Sequence, residues 1–109
     1  MAITNTQLTT SGNPPVQVYK AVGQNALTTV FFCNTSTVAT ATLDVYVVSD
    51  ASGLSAGPAT QILSAVPVPP SETFVMDSEK IILENNDLLL VRTDTANAVT
   101  VTVSSVSTA

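Results

Sequence analysis

Apolar and polar residues alternate along this chain with a period of two, most clearly between positions 38 and 49. In the stretch VATATLDVYVVS, alanine, leucine and valine occupy odd positions 39 to 47, whereas threonine, aspartate and tyrosine occupy the even positions 40 to 46. Because successive side chains of an extended chain point to opposite faces, this pattern predicts a strand with one apolar and one mostly polar face. Its twelve residues would span roughly 40 Å, so we expect the rest of the domain to be built around it.

Further strands, separated by turn residues, are predicted at 16–20, 26–33, 60–66, 72–76, 88–93 and 98–106, with a blurred period at 60–66, and residues 3–10 alternate weakly. Between them, Asn85-Asn86-Asp87 is the strongest hairpin signal, because Asn and Asp tolerate the left-handed backbone conformation. Apolar spacing of three and four residues is nowhere sustained over ten positions. About eight strands with such turns predict an all-β protein, a single antiparallel β-sandwich of jelly-roll or immunoglobulin-like type over residues 1–109.

For three segments, the sequence does not decide what they pack against. Residues 1–14 carry no charge, and they form either an edge strand or an extended arm that pairs with another subunit. Residues 26–33 are apolar on both faces, so one phenylalanine lies either under a loop or against a neighbouring subunit. Residues 67–70 (PVPP) lack the ladder donors of a central strand and are predicted to be extended loop or sheet edge, with a proline-rich peptide ligand as the alternative.

Charge narrows the classes of partner. Only 10% of the residues are charged, and the net charge is −5. The three cations, Lys20, Lys80 and Arg92, are scattered, whereas binding to nucleic acid or to an anionic membrane requires a basic cluster. The longest aliphatic run, Leu88 to Val91, is too short to span a bilayer, and the opening residues do not form a secretory signal. We therefore expect no nucleic acid and no membrane among the partners.

Residues that carry chemistry are few. Cys33 is the single cysteine and histidine is absent, so the sequence predicts neither an internal disulfide nor a zinc site. Beside two phenylalanines, this cysteine is expected to be a small buried hydrophobe and not a reactive thiol. The acidic residues around the predicted turns lack the spacing of an EF-hand and are interpreted as solvated; they are Asp77, Glu79, Glu84 and Asp87. No catalytic, cofactor-binding or metal-binding residue is predicted, and we do not expect an enzyme.

Five stretches resemble the small β-sandwich virion proteins of tailed bacteriophages, particularly those of cyanobacterial phages. They are ITNTQLTTS, TTVFFCNTS, ATLDVYVV, TFVMDSEKIIL and VTVTVSSV, which occur in this order between residues 3 and 106. The resemblance implies a non-enzymatic structural component of the virion, assembled in the host cytoplasm. It also implies a position on the capsid exterior or in the tail, collar or baseplate, with the major capsid protein or other virion proteins as partners.

The residues themselves favour the capsid exterior. An uncharged surface of threonine, serine and valine suits packing against a shell or against copies of the same chain, and negative charge keeps the protein away from packaged DNA. A capsid decoration (cement) protein is therefore the leading expectation. A tail, collar or baseplate adaptor is one alternative, and a carbohydrate-binding module that uses Tyr19, Tyr46 and Phe31 is another. The residues predicted to contact a partner are Ile3, Thr4, Leu8, Phe31, Tyr46, Pro67, Pro69 and Pro70.

Overall fold

The chain folds into nine β-strands. A computed structural model describes residues 2–12, 14–50, 55–76 and 81–107, except for the side chain of residue 2, and these residues contain no α-helix. The strands are β1 (Ala2–Gln7), β2 (Val16–Lys20), β3 (Asn25–Asn34), β4 (Ala41–Val48), β5 (Gln61–Val68), β6 (Thr73–Met76), β7 (Ile81–Leu83), β8 (Leu88–Thr93) and β9 (Val99–Ser107).

The strands form two antiparallel sheets whose order follows a nested pattern. The five-stranded sheet has the order β1-β9-β3-β6, with β7 also pairing with β3, and the four-stranded sheet has the order β2-β8-β4-β5. The pairs are nested as in one long hairpin: β1 pairs with β9, β2 with β8, β3 with β6 and β7, and β4 with β5. A hairpin wrapped so that these pairs alternate between two sheets is a jelly roll. The predicted antiparallel sandwich is confirmed.

The inward faces of the two sheets bury the apolar half of the two-residue pattern. In β9, Val99, Val101 and Val103 have no accessible surface, and in β4 Leu43 and Val45 lie opposite them in the other sheet's inward face. Each fully buried side chain of this size contributes about 1.5–3 kcal/mol from the hydrophobic effect. The interior therefore stabilises the fold mainly through aliphatic packing between sheets.

The structure of β3 shows which of its two phenylalanines is buried. Phe32 points inward, has no accessible surface and packs against Phe74, with the two ring centroids 5.9 Å apart. Its neighbours Phe31 and Cys33 consequently point to the outer face, where 39% of Phe31 is exposed and Cys33 is partly exposed. The expectation that the cysteine is a buried hydrophobe is thus wrong, because the pleat turns it away from the core.

Strand β4 is shorter than predicted. It begins at Ala41 instead of residue 38, and Val38 is 88% exposed. The preceding backbone is held by side chains: the Ser36 hydroxyl accepts hydrogen bonds from the amides of Val38 and Ala39, and the Asn34 amide nitrogen donates to the Ala39 carbonyl. These bonds satisfy backbone groups that a longer strand would have needed for its ladder.

Adjacent phenylalanines in β3 allow a matched test of the packing. Truncation of Phe32→Ala removes an inward ring with its contact to Phe74, and we expect it to lower the free energy of unfolding by about 3–5 kcal/mol. The control Phe31→Ala removes a partly exposed ring from the same strand and is expected to cost about 1 kcal/mol or less. Urea denaturation monitored by circular dichroism measures both values. Equal losses from the two substitutions would contradict the assigned orientation of β3.

Candidate functional site

The outer face of the five-stranded sheet carries no charge. None of the residues in β1, β3, β6, β7 and β9 is Asp, Glu, Lys or Arg, whereas β2, β4 and β8 contain Lys20, Asp44 and Arg92. Strand pairing aligns the outward side chains of the five-stranded sheet in four rows. The row Val106–Ala26–Ile82 lies at the β7 end of the sheet, and we call the other three rows the neutral face. The three rows are Ile3–Ser104–Thr29, Asn5–Thr102–Phe31–Val75 and Gln7–Thr100–Cys33–Thr73.

The central row combines a polar end with an apolar end. Asn5 donates from its side-chain amide to the Thr102 hydroxyl at 2.9 Å, which fixes both side chains on the surface. At the other end, Phe31 and Val75 are directly opposite each other, and each is 39% exposed. A small apolar patch surrounded by hydroxyl groups is the composition found at protein–protein contacts, whose centres are depleted in charged residues.

The neutral face is of moderate size. With strands about 4.8 Å apart and outward residues about 6.7 Å apart along each strand, it measures roughly 400 Å². Stable protein–protein interfaces bury about 800 Å² on each partner. One neutral face thus supplies about half of a standard interface.

The outer face of the four-stranded sheet has a different character, because a partly buried ion pair lies at its centre. Asp44 of β4 is directly opposite Arg92 of β8, and the guanidinium donates to Asp44 Oδ2 from Nη2 at 2.6 Å and from Nε at 3.0 Å. The other carboxylate oxygen accepts hydrogen bonds from the backbone amide of Ala65 at 2.9 Å and from Gln61 Nε2 at 3.0 Å. Only 15% of the Asp44 side chain is exposed.

These contacts make Asp44 a structural residue. A carboxylate has about four lone-pair sites, and in Asp44 all of them accept hydrogen bonds within the molecule, so none is left for a substrate or a metal ion. Burial raises the pKa of Asp44, but the hydrogen bonds from Ala65 and Arg92 outweigh it, so the pKa lies below its ordinary value. The hydrogen bond from the Ala65 amide to Asp44 also holds Ala65 in a left-handed conformation, with a φ of 52°. Ala65 lies at one of the two irregularities in the pairing of β5 with β4.

A cavity of about 460 Å³ adjoins this ion pair. Its walls come from the four-stranded sheet and from two loops that cover it, and they are Pro14, Pro15, Tyr46, Ala56, Gly57, Pro58, Gln61 and Arg92. Within residues 2–12, 14–50, 55–76 and 81–107, no group of three histidine, cysteine or acidic residues is arranged to hold a metal ion. The same ranges contain no helix long and apolar enough to cross a membrane.

The predicted contact residues fall into two groups. Five of them are at least partly exposed: Ile3 and Phe31 on the neutral face, Pro67 and Pro69 at the rim of the sandwich, and Pro70 beside them. Pro67 lies in edge strand β5, so the prediction of a loop or edge position for this segment is confirmed.

The remaining three predicted contact residues point away from the surface. Leu8 has no accessible surface, because its backbone hydrogen bonds with Val99 and Asn97 place it at the core end of β1. Tyr46 is 3% exposed, because loop residues cover its outward side, and Thr4 is half-buried on the inward side of β1. We therefore correct the assignments of Leu8 and Tyr46, since a side chain with at most 3% of its surface accessible offers almost no area to a partner protein.

The three aromatic residues proposed as a sugar platform do not share a surface. Tyr19 donates its hydroxyl hydrogen across the interior to Ser105 Oγ of the opposite sheet at 3.2 Å. Tyr46 is buried behind the four-stranded sheet, and Phe31 lies on the opposite side of the molecule. A flat stacking surface for a carbohydrate ring is therefore not formed by these residues.

Of the four acidic residues around the predicted turns, the structure describes Glu84 and Asp87. Asp77 and Glu79 lie outside the described residues. Asp87 accepts hydrogen bonds from the amides of Glu84 and Asp50, so its carboxylate organises the turn before β8. Asn86 in the same turn has a φ of 71°, so the predicted turn is present. The hairpin predicted there is wrong, because β7 pairs with β3 and β8 belongs to the other sheet, and the turn therefore connects the two sheets.

Sequence reasoning missed Val75, Thr102 and the Asp44–Arg92 pair, because each depends on pairing between strands that are distant in the chain. No protein-family model, curated protein or solved structure matches this chain. Its function is therefore inferred from its own surfaces, and the neutral face is the surface best suited to a partner.

The ion pair generates a pH-dependent prediction. Because the pKa of Asp44 is lowered by folding, its charge stabilises the native state above its ordinary pKa of 3.8, and this contribution is lost as the pH falls through the lower folded-state value. We expect Asp44→Asn to reduce the free energy of unfolding at pH 7 by about 1–3 kcal/mol. As the pH falls below 3.8, the difference from the unmodified protein should shrink.

Chemical denaturation at a series of pH values measures this difference. The control Glu84→Gln alters an exposed turn acid and should leave the pH profile nearly unchanged. A deficit of Asp44→Asn that stayed constant from pH 7 to pH 2 would show that the carboxylate charge does not stabilise the fold.

Proposed function

We propose that this protein is a non-enzymatic structural component of a bacteriophage particle. More specifically, we propose a capsid decoration protein that binds the outside of the shell and stabilises it. The observation that carries this proposal is the neutral face: an open sheet surface without a charged side chain, whose middle row ends in the exposed pair Phe31 and Val75.

The chemistry of the neutral face favours a protein partner. Covering a charged group without an ion-pair partner costs several kcal/mol, whereas a hydroxyl group can be satisfied by one hydrogen bond. Threonine and serine along β9 can therefore be covered at little cost, and Phe31 supplies the kind of central aromatic contact that dominates binding energy at interfaces.

The distribution of charge favours the outside of a shell. Outside the strands, the described acidic residues lie in loops at the ends and rim of the sandwich, and they are Asp50, Glu72, Glu84, Asp87 and Asp94. Arg92, one of the two described cations, is paired with Asp44. A surface with this balance repels the phosphate backbone of packaged DNA, so it is better suited to the exterior of a shell.

The resemblance to phage virion proteins supports the choice of the neutral face as the binding surface. Four of the stretches that carry it contribute to the neutral face: ITNTQ in β1, TTVFFCN in β3, TFVM in β6 and VTVTVSSV in β9. The jelly roll also occurs in viral capsid proteins and lectins, but this is an argument from fold alone and does not choose between functions.

Binding to shells tests the proposal. Shells stripped of this protein are mixed with the purified chain and sedimented, and we expect the unmodified protein to pellet with them and to raise their resistance to heating. Phe31→Glu places a charge in the middle row of the neutral face and should weaken binding at least tenfold, which corresponds to about 1.4 kcal/mol.

The matched control is Ile62→Glu, which changes a 44% exposed residue of the opposite sheet and should leave binding unchanged. Equal binding by Phe31→Glu and the unmodified protein would overturn the role of the neutral face. Binding to isolated tails and not to shells would instead support a tail or baseplate adaptor.

A further inference from the structure

Strand β1 presents an unprotected sheet edge. On one side it pairs with β9 in an unbroken register from Ala2 to Gln7, and no described residue pairs with its other side. The strand contains no proline, no charged residue and no bulge, which are the usual features that prevent edge-to-edge association.

The other outer strands do carry such features. Strand β5 has two register irregularities and contains Pro67, and β2 has an irregularity between Gln17 and Tyr19 and ends in Lys20. On the far side of the five-stranded sheet, β6 and β7 are only four and three residues long. Strand β1 is thus the one described edge that is regular, uncharged and six residues long.

Hydrogen-bond alternation identifies the groups that this edge exposes. The Leu8 amide donates to the Val99 carbonyl at 2.8 Å, so the backbone of Leu8 faces β9. In an antiparallel strand, backbone direction alternates with each residue, so Thr6 and Thr4 also face β9. The amide and carbonyl groups of Ile3, Asn5 and Gln7 therefore point to the open edge, while their side chains lie on the neutral face.

We propose that two copies of this protein pair through β1 to form a symmetric dimer. The strands run antiparallel about a two-fold axis at Asn5, with Ile3 of one copy opposite Gln7 of the other. This register brings all three outward-facing residues of each strand into hydrogen-bonded positions and gives up to about six backbone hydrogen bonds. No other two-fold register uses all three.

A second copy is the occupant that the edge fits best. An antiparallel pair of identical strands is self-complementary, and no charged side chain on β1 opposes its symmetry mate. Because the other edges are protected, pairing through β1 closes after two copies and does not continue into a fibre. This inference depends on the edge geometry alone and not on the proposed function.

Pairing through β1 would also enlarge the neutral face. It joins two five-stranded sheets into one continuous sheet, with two neutral faces side by side on the same surface. Their combined area is roughly 800 Å², about what one partner contributes to a standard interface. A dimer would therefore bind a repetitive surface more tightly than one copy does.

The first test measures the mass of the purified full-length protein by analytical ultracentrifugation across a range of concentrations. We expect a monomer–dimer equilibrium, and we expect Asn5→Pro to weaken dimerisation at least tenfold by removing an edge-facing amide that β9 does not use. Circular dichroism and thermal melting verify that this variant stays folded. A monomer at all concentrations, or a dimer that Asn5→Pro does not weaken, would overturn the proposal.

A pair of charge variants tests the register without proline. In the double variant Ile3→Lys with Gln7→Lys, the proposed register places like charges opposite each other at both ends of the strand pair. In Ile3→Lys with Gln7→Glu, it places opposite charges there. We expect the second variant to dimerise about fivefold more tightly than the first at low salt. Equal dimer affinities would contradict pairing between positions 3 and 7.

Discussion

Packing between the inward faces of the two sheets is the interaction on which the rest of this structure depends. Phe32, Val101 and Val45 have no accessible surface, and they come from β3, β9 and β4, which belong to both sheets. Because a strand has only two faces, burying one set of residues fixes the direction of every other side chain. The neutral face and the ion pair of Asp44 are therefore both consequences of how the core is filled.

The outer faces of the two sheets differ in the interactions that their side chains can make with a partner. On the four-stranded sheet, the Asp44–Arg92 pair and the covering loops use the polar groups within the molecule, and a carboxylate with four hydrogen bonds has no capacity left for chemistry. On the five-stranded sheet, the outward side chains stay uncharged and open. This contrast is the physical basis for proposing a binding role and for choosing the five-stranded sheet as the proposed binding surface.

Local pattern was sufficient to predict most of the strands and the fold class, including β2 and β8 with their observed bounds, but it did not predict β7 as a strand. It was insufficient where a residue's surroundings come from distant parts of the chain. Both faces of β3 are apolar, so only its pairing decides that Phe32 is buried and Phe31 exposed. Tyr46 alternates as a surface residue but is covered by loops from other regions. The candidate site shares this limit, because Phe31 and Val75 become neighbours only through the pairing of β3 with β6.

Electron microscopy of intact phage particles that carry this protein tests the central claim most directly. The account predicts density for the jelly roll in many copies on the outer surface of the shell, with the neutral face of the five-stranded sheet against the capsid. Density only in the tail or baseplate, or contact with the shell through the four-stranded sheet, would contradict it.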